Sequence, residues 1–277
     1  MKTSYLLRFG LITMLAAGAF LPQSVAQRHI SARGTGTGAL THSTTTNGII
    51  ALVKTDKETV LSSKTIKSTL HPSHAKVIEE IGSYLPSSCQ ESIRNLYIRY
   101  DNPKLRGLGG KSTVIVSGNL PLDEFRTVLA HEILGHALDL GCLTGKPSSG
   151  VTSFRDGSDL IFGDDPSVFF YRLSWSDAKT RLPESRDGDF VSGYARTDAF
   201  EDVAESIVFY LFHREEFRRV AAGNPILAAK FQWIETYAFP GGQNYALSTY
   251  TWNESAIPWD ATVLPYVWLG PARLGSK

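Results

Sequence analysis

Cysteine is scarce in this chain, with two residues in 277, Cys89 and Cys142. That excludes a disulfide-dense scaffold and a cysteine-rich metal or iron–sulfur domain. Charge of one sign is not in excess either. The formal net charge is +1, so the chain lacks the basic footprint of a nucleic-acid binder or of a protein held on an anionic membrane. Long apolar runs are also missing. The longest, residues 9–21, has thirteen positions, whereas a bilayer-spanning helix needs about twenty. No internal repeat is visible. What remains is an ordinary globular composition, 42% hydrophobic and 20% charged, in a chain long enough for one substantial domain.

The first residues read as an export signal. Lys2 and Arg8 give a positive start, residues 9–21 are apolar, and Pro22 breaks the run. Ser24, Val25 and Ala26 are small residues ahead of a cut before Gln27. Residues 1–26 are therefore expected to be a signal peptide, with a buried N-terminal helix as the alternative. No cysteine follows, so no lipid anchor is indicated. Removing Lys2 and Arg8 from 28 basic residues leaves 26 against 27 acidic ones, a net charge near −1. The expected location is secreted, extracellular or periplasmic. In such an oxidising compartment two cysteines suggest one disulfide, Cys89 to Cys142, contributing about 4 kcal/mol on the chain-entropy model. Two buried thiols, or Cys142 as a metal ligand, are the alternatives.

Residues 27–48 are expected to form a flexible low-complexity arm, because 31–48 are rich in Gly, Thr and Ser and cannot offset their ordering entropy by burial. Residues 49–277 are expected to be a single domain. Residues 49–53 and 59–61 read as short strands. Pro72 opens a helix with Val77, Ile78, Ile81 and Leu85 at helical spacing. Residues 97–100 read as a strand, 104–110 as a glycine-rich turn, and 112–117 as a second strand.

A longer helix then opens at Pro121. Asp123 and Glu124 suit its positive end, Phe125, Val128, Leu129 and Ile133 give it an apolar side, and Gly141 suits its C-terminal cap. Residues 146–194 read as loop-rich. Two more helices are expected, at 198–219 and 226–237, and an irregular aromatic tail after Pro240. These elements read as an α+β fold: a small mixed sheet and one central helix, followed by a mainly helical C-terminal part.

The helix at Pro121 carries His131-Glu132-Ile133-Leu134-Gly135-His136. Two histidines on one helix, with a Glu beside the first, can supply two zinc ligands and a base for a bound water. The familiar spacing is four residues, which places the imidazoles about 40° apart around the helix. Here it is five, or about 140° on a regular α-helix, too far for one ion. The spacing therefore predicts a one-turn π-bulge across residues 133–135, where Gly135 tolerates the local change.

This six-residue segment resembles the zinc motif of the dipeptidyl peptidase III family, which has the same histidine spacing. That family belongs with zinc peptidases of gluzincin type, whose third ligand is a Glu on a downstream helix. Their second motif is similar to Glu201-Asp202-Val203-Ala204-Glu205. The resemblance implies a zincin-like core with one Zn2+ on His131, His136 and Glu201, Glu132 as base, and Glu205 supporting a ligand histidine. Tyr194, seven residues before Glu201, is similar in placement to the oxyanion-assisting Tyr of anthrax-lethal-factor-like peptidases. The likeness covers residues 122–211 only. The chain is much shorter than a two-lobed dipeptidyl peptidase, so release of dipeptides is not carried over.

The residues themselves support the second motif. Glu201 and Glu205 share a helix face, so one carboxylate can bind metal while the other fixes an imidazole tautomer. Each also has a plainer reading. Asp198 and Glu201 form a capping-box pattern, and Glu205 fits a solvated surface acid. Asp139, three residues after His136, is either a ligand or a support to one, or simply a polar residue near the helix end. His213 reads as solvated surface, beside Arg214, Glu215 and Glu216. His71 and His74 flank a helix start without metal spacing. Asp156, Asp159, Asp164, Asp165, Asp187 and Asp189 read as turn residues rather than a calcium loop.

The expected function is an exported zinc peptidase acting on peptide or protein substrates, with residues 112–117 as an edge strand that pairs with them. The rivals are a binding or structural protein with a non-catalytic zinc site, and a zinc hydrolase of non-peptide amides.

Overall fold

The computed structural model describes residues 70–100, 104, 106–242, 244–253 and 255–270. The expected signal, the arm and the strands at 49–53 and 59–61 lie outside the described residues. Within them the fold mixes small sheets with several helices, as an α+β chain should.

The first helix, α1 (Pro72–Gly82), starts on the imidazole of His71, which accepts the N–H of Ser73. It buries Val77, Ile78 and Ile81. Three strands follow: β1 (Asn95–Arg99), β2 (Gly107–Gly109) and β3 (Thr113–Ser117). Their order is β1-β3-β2, with β1 parallel and β2 antiparallel to β3. The segment 112–117 is thus the centre of the sheet and not its edge. Among the described residues the edge beside the histidine helix belongs to β2, which forms inside the stretch expected to be only a turn. Its Gly-Leu-Gly sequence has little strand propensity, and pairing with β3 imposes the extended form.

The central helix has three parts: α2 (Leu122–Ala130), a π-helical turn (His131–Ala137) and α3 (Leu138–Gly141). Pro121 sits at the N-cap position and not inside the first turn, and Cys142 is the C-cap, one residue beyond the expected Gly141. The π turn includes the expected bulge at 133–135 and extends a residue or two beyond it on each side.

The loop-rich stretch contains a hairpin, β4 (Val151–Asp156) and β5 (Asp159–Phe162), and a short helix, α4 (Pro166–Tyr171). Its aspartates serve local structure. Asp165 caps α4, and Asp164 accepts from the Lys146 N–H and the Ser149 hydroxyl.

Helix α5 (Ala199–Ala221) runs beneath the π turn. Contact is close because Gly135 faces Ala204; a Cβ at Gly135 would lie 2.6 Å from the Ala204 Cβ. Helix α6 (Pro225–Trp233) continues into a second π-helical turn (Ile234–Ala238). Two charged side chains are wholly buried between α5 and α6, with Lys230 bonded to Asp202 at 2.7 Å. Asp202 also accepts the indole N–H of Trp175, and Lys230 donates to the Asp189 carbonyl, so no charge is left unpaired.

After Pro240 the chain is more regular than expected. It forms a hairpin, β6 (Ala246–Ser248) with β7 (Tyr266–Trp268), whose aromatics stack on Phe212 of α5. His213 is buried and not solvated. Its backbone is non-helical (φ −136°, ψ 36°), and this kink turns the ring inward to Ser248 Oγ at 2.8 Å.

Cys89 and Cys142 form a disulfide, with Cα atoms 5.2 Å apart. It ties the end of α3 to the segment after α1. Such a bond is consistent with an extracellular location. No helix among the described residues is long and apolar enough to cross a membrane.

Candidate metal centre

Three buried side chains from two helices converge. His131, His136 and Glu201 present ligand atoms that all lie within 4.8 Å of one another, and together they can hold a metal ion. The π turn makes this possible by widening the helix at 131–137, so that residues five apart no longer diverge. The two imidazole centroids are 5.0 Å apart. Helix α5 adds the carboxylate, because Gly135 lets its backbone approach the π turn.

The separations come close to those of a tetrahedral metal site. Glu201 Oε2 is 3.0 Å from His131 Nε2 and 3.3 Å from His136 Nε2. Ligands held about 2.0–2.2 Å from a tetrahedral centre are separated by roughly 3.3–3.5 Å. Two imidazole nitrogens and one carboxylate oxygen are the donor set of a three-ligand site with an open position. The identity of the metal does not follow from this geometry.

The supporting contacts fix the donors. His131 Nδ1 faces Glu205 Oε1 at 3.2 Å, an approach that favours a proton on that side and would leave Nε2 for a metal ion. Glu205 is fully buried, not a surface acid. Its other oxygen accepts the Ser192 hydroxyl at 2.5 Å and the Ala261 N–H at 2.7 Å. The N–H groups that open α5 are bonded by Asp198, whose carboxylate accepts from Phe200 and Glu201. The Glu201 carboxylate instead points at the imidazoles, which settles the capping alternative. Tyr194 Oη donates to Glu201 Oε1 at 3.0 Å, placing the phenol beside the centre.

Asp139 does not join the three. It is buried, and its carboxylate accepts the Tyr171 hydroxyl at 2.7 Å. Burial pushes its carboxyl up to about 7, countered in part by bonds from Ser167 and Tyr171.

Electrostatics follow from sharing buried charge. Burial opposes protonation of both imidazoles, but the carboxylates outweigh it, raising His136 to about 9 and His131 well above the usual histidine range. Burial likewise pushes Glu201 up, yet His136 and His131 hold it far below ordinary carboxylates. Such a set, wanting a cation at its middle, is satisfied by protons or by a metal.

Glu132 stands apart from this exchange. It is buried, and its Oε2 has no hydrogen-bond partner. Burial raises its carboxyl, against the pull of the imidazoles. Strand β2 lies flush against it: a Cβ at Gly107 would collide with the Glu132 carboxylate, and one at Gly109 would lie 2.6 Å from Oε2. Only glycines at both positions leave room for that carboxylate beside the free strand edge.

The sequence reading missed residues 258–262. Gly193 and Tyr194 donate their N–H groups to the carbonyls of Pro258 and Trp259, at 2.7 and 2.6 Å. Arg106, just before β2, bonds Glu124, Asp260 and Thr262. Thr127 of α2 donates to the Thr262 carbonyl at 2.6 Å. The signal was faint, because several of these bonds use backbone atoms that any residue supplies. No protein-family model, curated protein or solved structure matches the chain.

Proposed function

We propose that this chain is an exported zinc-dependent peptidase with a zincin-like core of gluzincin type. The observation that carries the reading is the buried Glu132, whose Oε2 lacks a hydrogen-bond partner, set between the three-ligand cluster and the edge strand β2. A structural metal site has no use for an orphaned carboxylate, which costs free energy unless it performs chemistry. Export is supported by the N-terminal sequence and the disulfide.

A bound zinc supplies a Lewis acid and lowers the pKa of a coordinated water to about 7. The residues of this chain do the rest. An extended peptide pairs with β2, which runs antiparallel to β3 and ends the strand order of the sheet among the described residues. Glu132, its carboxyl raised by burial, takes the proton from the attacking water and delivers it to the leaving amine. Tyr194 donates its hydroxyl hydrogen to the carbonyl oxygen as charge develops there. Glu205 holds His131 in the tautomer that leaves Nε2 free. The substrate is a peptide or protein, since pairing along a strand edge requires a backbone.

The test combines metal analysis with cleavage of a mixed peptide library by the wild type and by Glu132→Gln. The expected result is about one zinc per chain in both proteins. Cleavage by the wild type should be chelator-sensitive and fall at least a hundredfold in the variant. Zinc in both with no cleavage by either would favour a structural metal site. Hydrolysis of other amides without peptide cleavage would move the assignment to an amidohydrolase.

A further inference from the structure

Trp259 is 66% exposed, and an exposed indole alone is unremarkable in a soluble protein. Its mounting is different. The backbone on its N-terminal side is paired with Gly193 and Tyr194. On its C-terminal side Asp260 is bonded to Arg106, and the Ala261 N–H to Glu205. The ring lies so close over Gly193 that a Cβ there would collide with it. It is 6.5 Å from the Tyr194 ring, which is itself 6.2 Å from the ring of His131. One side of the indole is therefore held in place, and the rest faces solvent one ring beyond the metal ligands.

A large apolar surface kept in water and stripped of its freedom to move is preorganised for a partner. Charge does not set the preference at this rim. Arg196, which also borders Gly193, is committed to Asp187 at 2.7 Å. Apolar contact is what the surface offers.

We propose that Trp259 forms the wall of a substrate subsite that selects an aromatic or large aliphatic side chain next to the scissile bond. This rests on the peptidase reading, but its test does not depend on turnover. The zinc-loaded full chain is compared with Trp259→Ala and Trp259→Phe in two assays. The first measures kcat/KM for peptide pairs differing by Phe or Ala at each position flanking the cleaved bond. The second measures binding of two small hydroxamates, which chelate the metal directly, one bearing a benzyl and one a methyl side chain.

The wild type is expected to favour the aromatic member roughly tenfold, the scale of one well-packed ring contact. Trp259→Ala should bring that ratio close to one, chiefly through KM and Kd and with unchanged zinc content, while Trp259→Phe keeps most of it. A wild type without preference, or a ratio unaltered in Trp259→Ala, overturns the subsite. A chain inert toward all peptides refutes the peptidase reading, and the hydroxamate ratio still decides Trp259. A chain that binds no metal overturns both.

Discussion

At the scale of single residues, the decisive feature is where the buried polar atoms that lack a hydrogen-bond partner sit. Glu132 is one, and His213 is another. The His213 ring meets Ser248, Phe209 and Tyr250, its Nε2 is unpartnered, and burial lowers its pKa to about 4. The folded chain therefore refuses a proton that the unfolded chain accepts below about 6.5. Stability from this group is intact at neutral pH and is lost as pH falls from about 6.5 toward 4, by about 3 kcal/mol in total. The slope of unfolding free energy against pH should be shallower in His213→Gln than in the wild type over that window, by up to one proton. Equal slopes in chemical denaturation would show that the ring is not buried neutral. Sequence misled here for a physical reason. Arg214, Glu215 and Glu216 advertise a solvated face, but the kink at His213 breaks the helical phase that such a reading assumes.

At the scale of elements, the histidine helix was the most legible part of the chain. A five-residue spacing that must share one ion leaves a π turn as the economical solution, and the turn is present. Strand β2 was illegible, since Gly107, Leu108 and Gly109 become a strand only because β3 is alongside. The edge was consequently assigned to β3, whose Val114, Ile115 and Val116 carry the stronger propensity and lie in the centre. The junction of the π turn with α5 gives a sharp test. Replacing a mid-helix glycine by alanine ordinarily gains about 1 kcal/mol. In Gly135→Ala the new Cβ would sit 2.6 Å from Ala204 Cβ and 2.7 Å from its Cα, so backbone must move. Overpacking of this kind costs about 1–3 kcal/mol. The variant should unfold at lower denaturant and bind a metal ion more weakly, because the separation carries Glu201 away from the imidazoles. A stabilised variant would contradict the close approach.

Across the whole molecule, the α+β composition and the disulfide were readable from the sequence, whereas the long-range clasp of residues 258–262 was not. The disulfide spans a sequence separation of 53, for which loop closure predicts about 4 kcal/mol. The double replacement Cys89→Ser with Cys142→Ser should lower the unfolding free energy by that order in urea titrations. Thiol titration of unfolded, unreduced wild type should find no free thiol. Metal binding should survive the replacement, because the bond grips the far end of α3 and none of His131, His136 and Glu201.

Glu205 touches both an imidazole of the central helix and the N–H of Ala261. Synthesis runs from the N-terminus, so residue 261 is added sixty residues after Glu201. Until that stretch has emerged and folded back, one oxygen of the carboxylate steadying His131 has lost a bond, and the wall carrying Trp259 does not exist. A growing polypeptide thus carries all three residues that can hold a metal ion before it carries the clasp that steadies one of them.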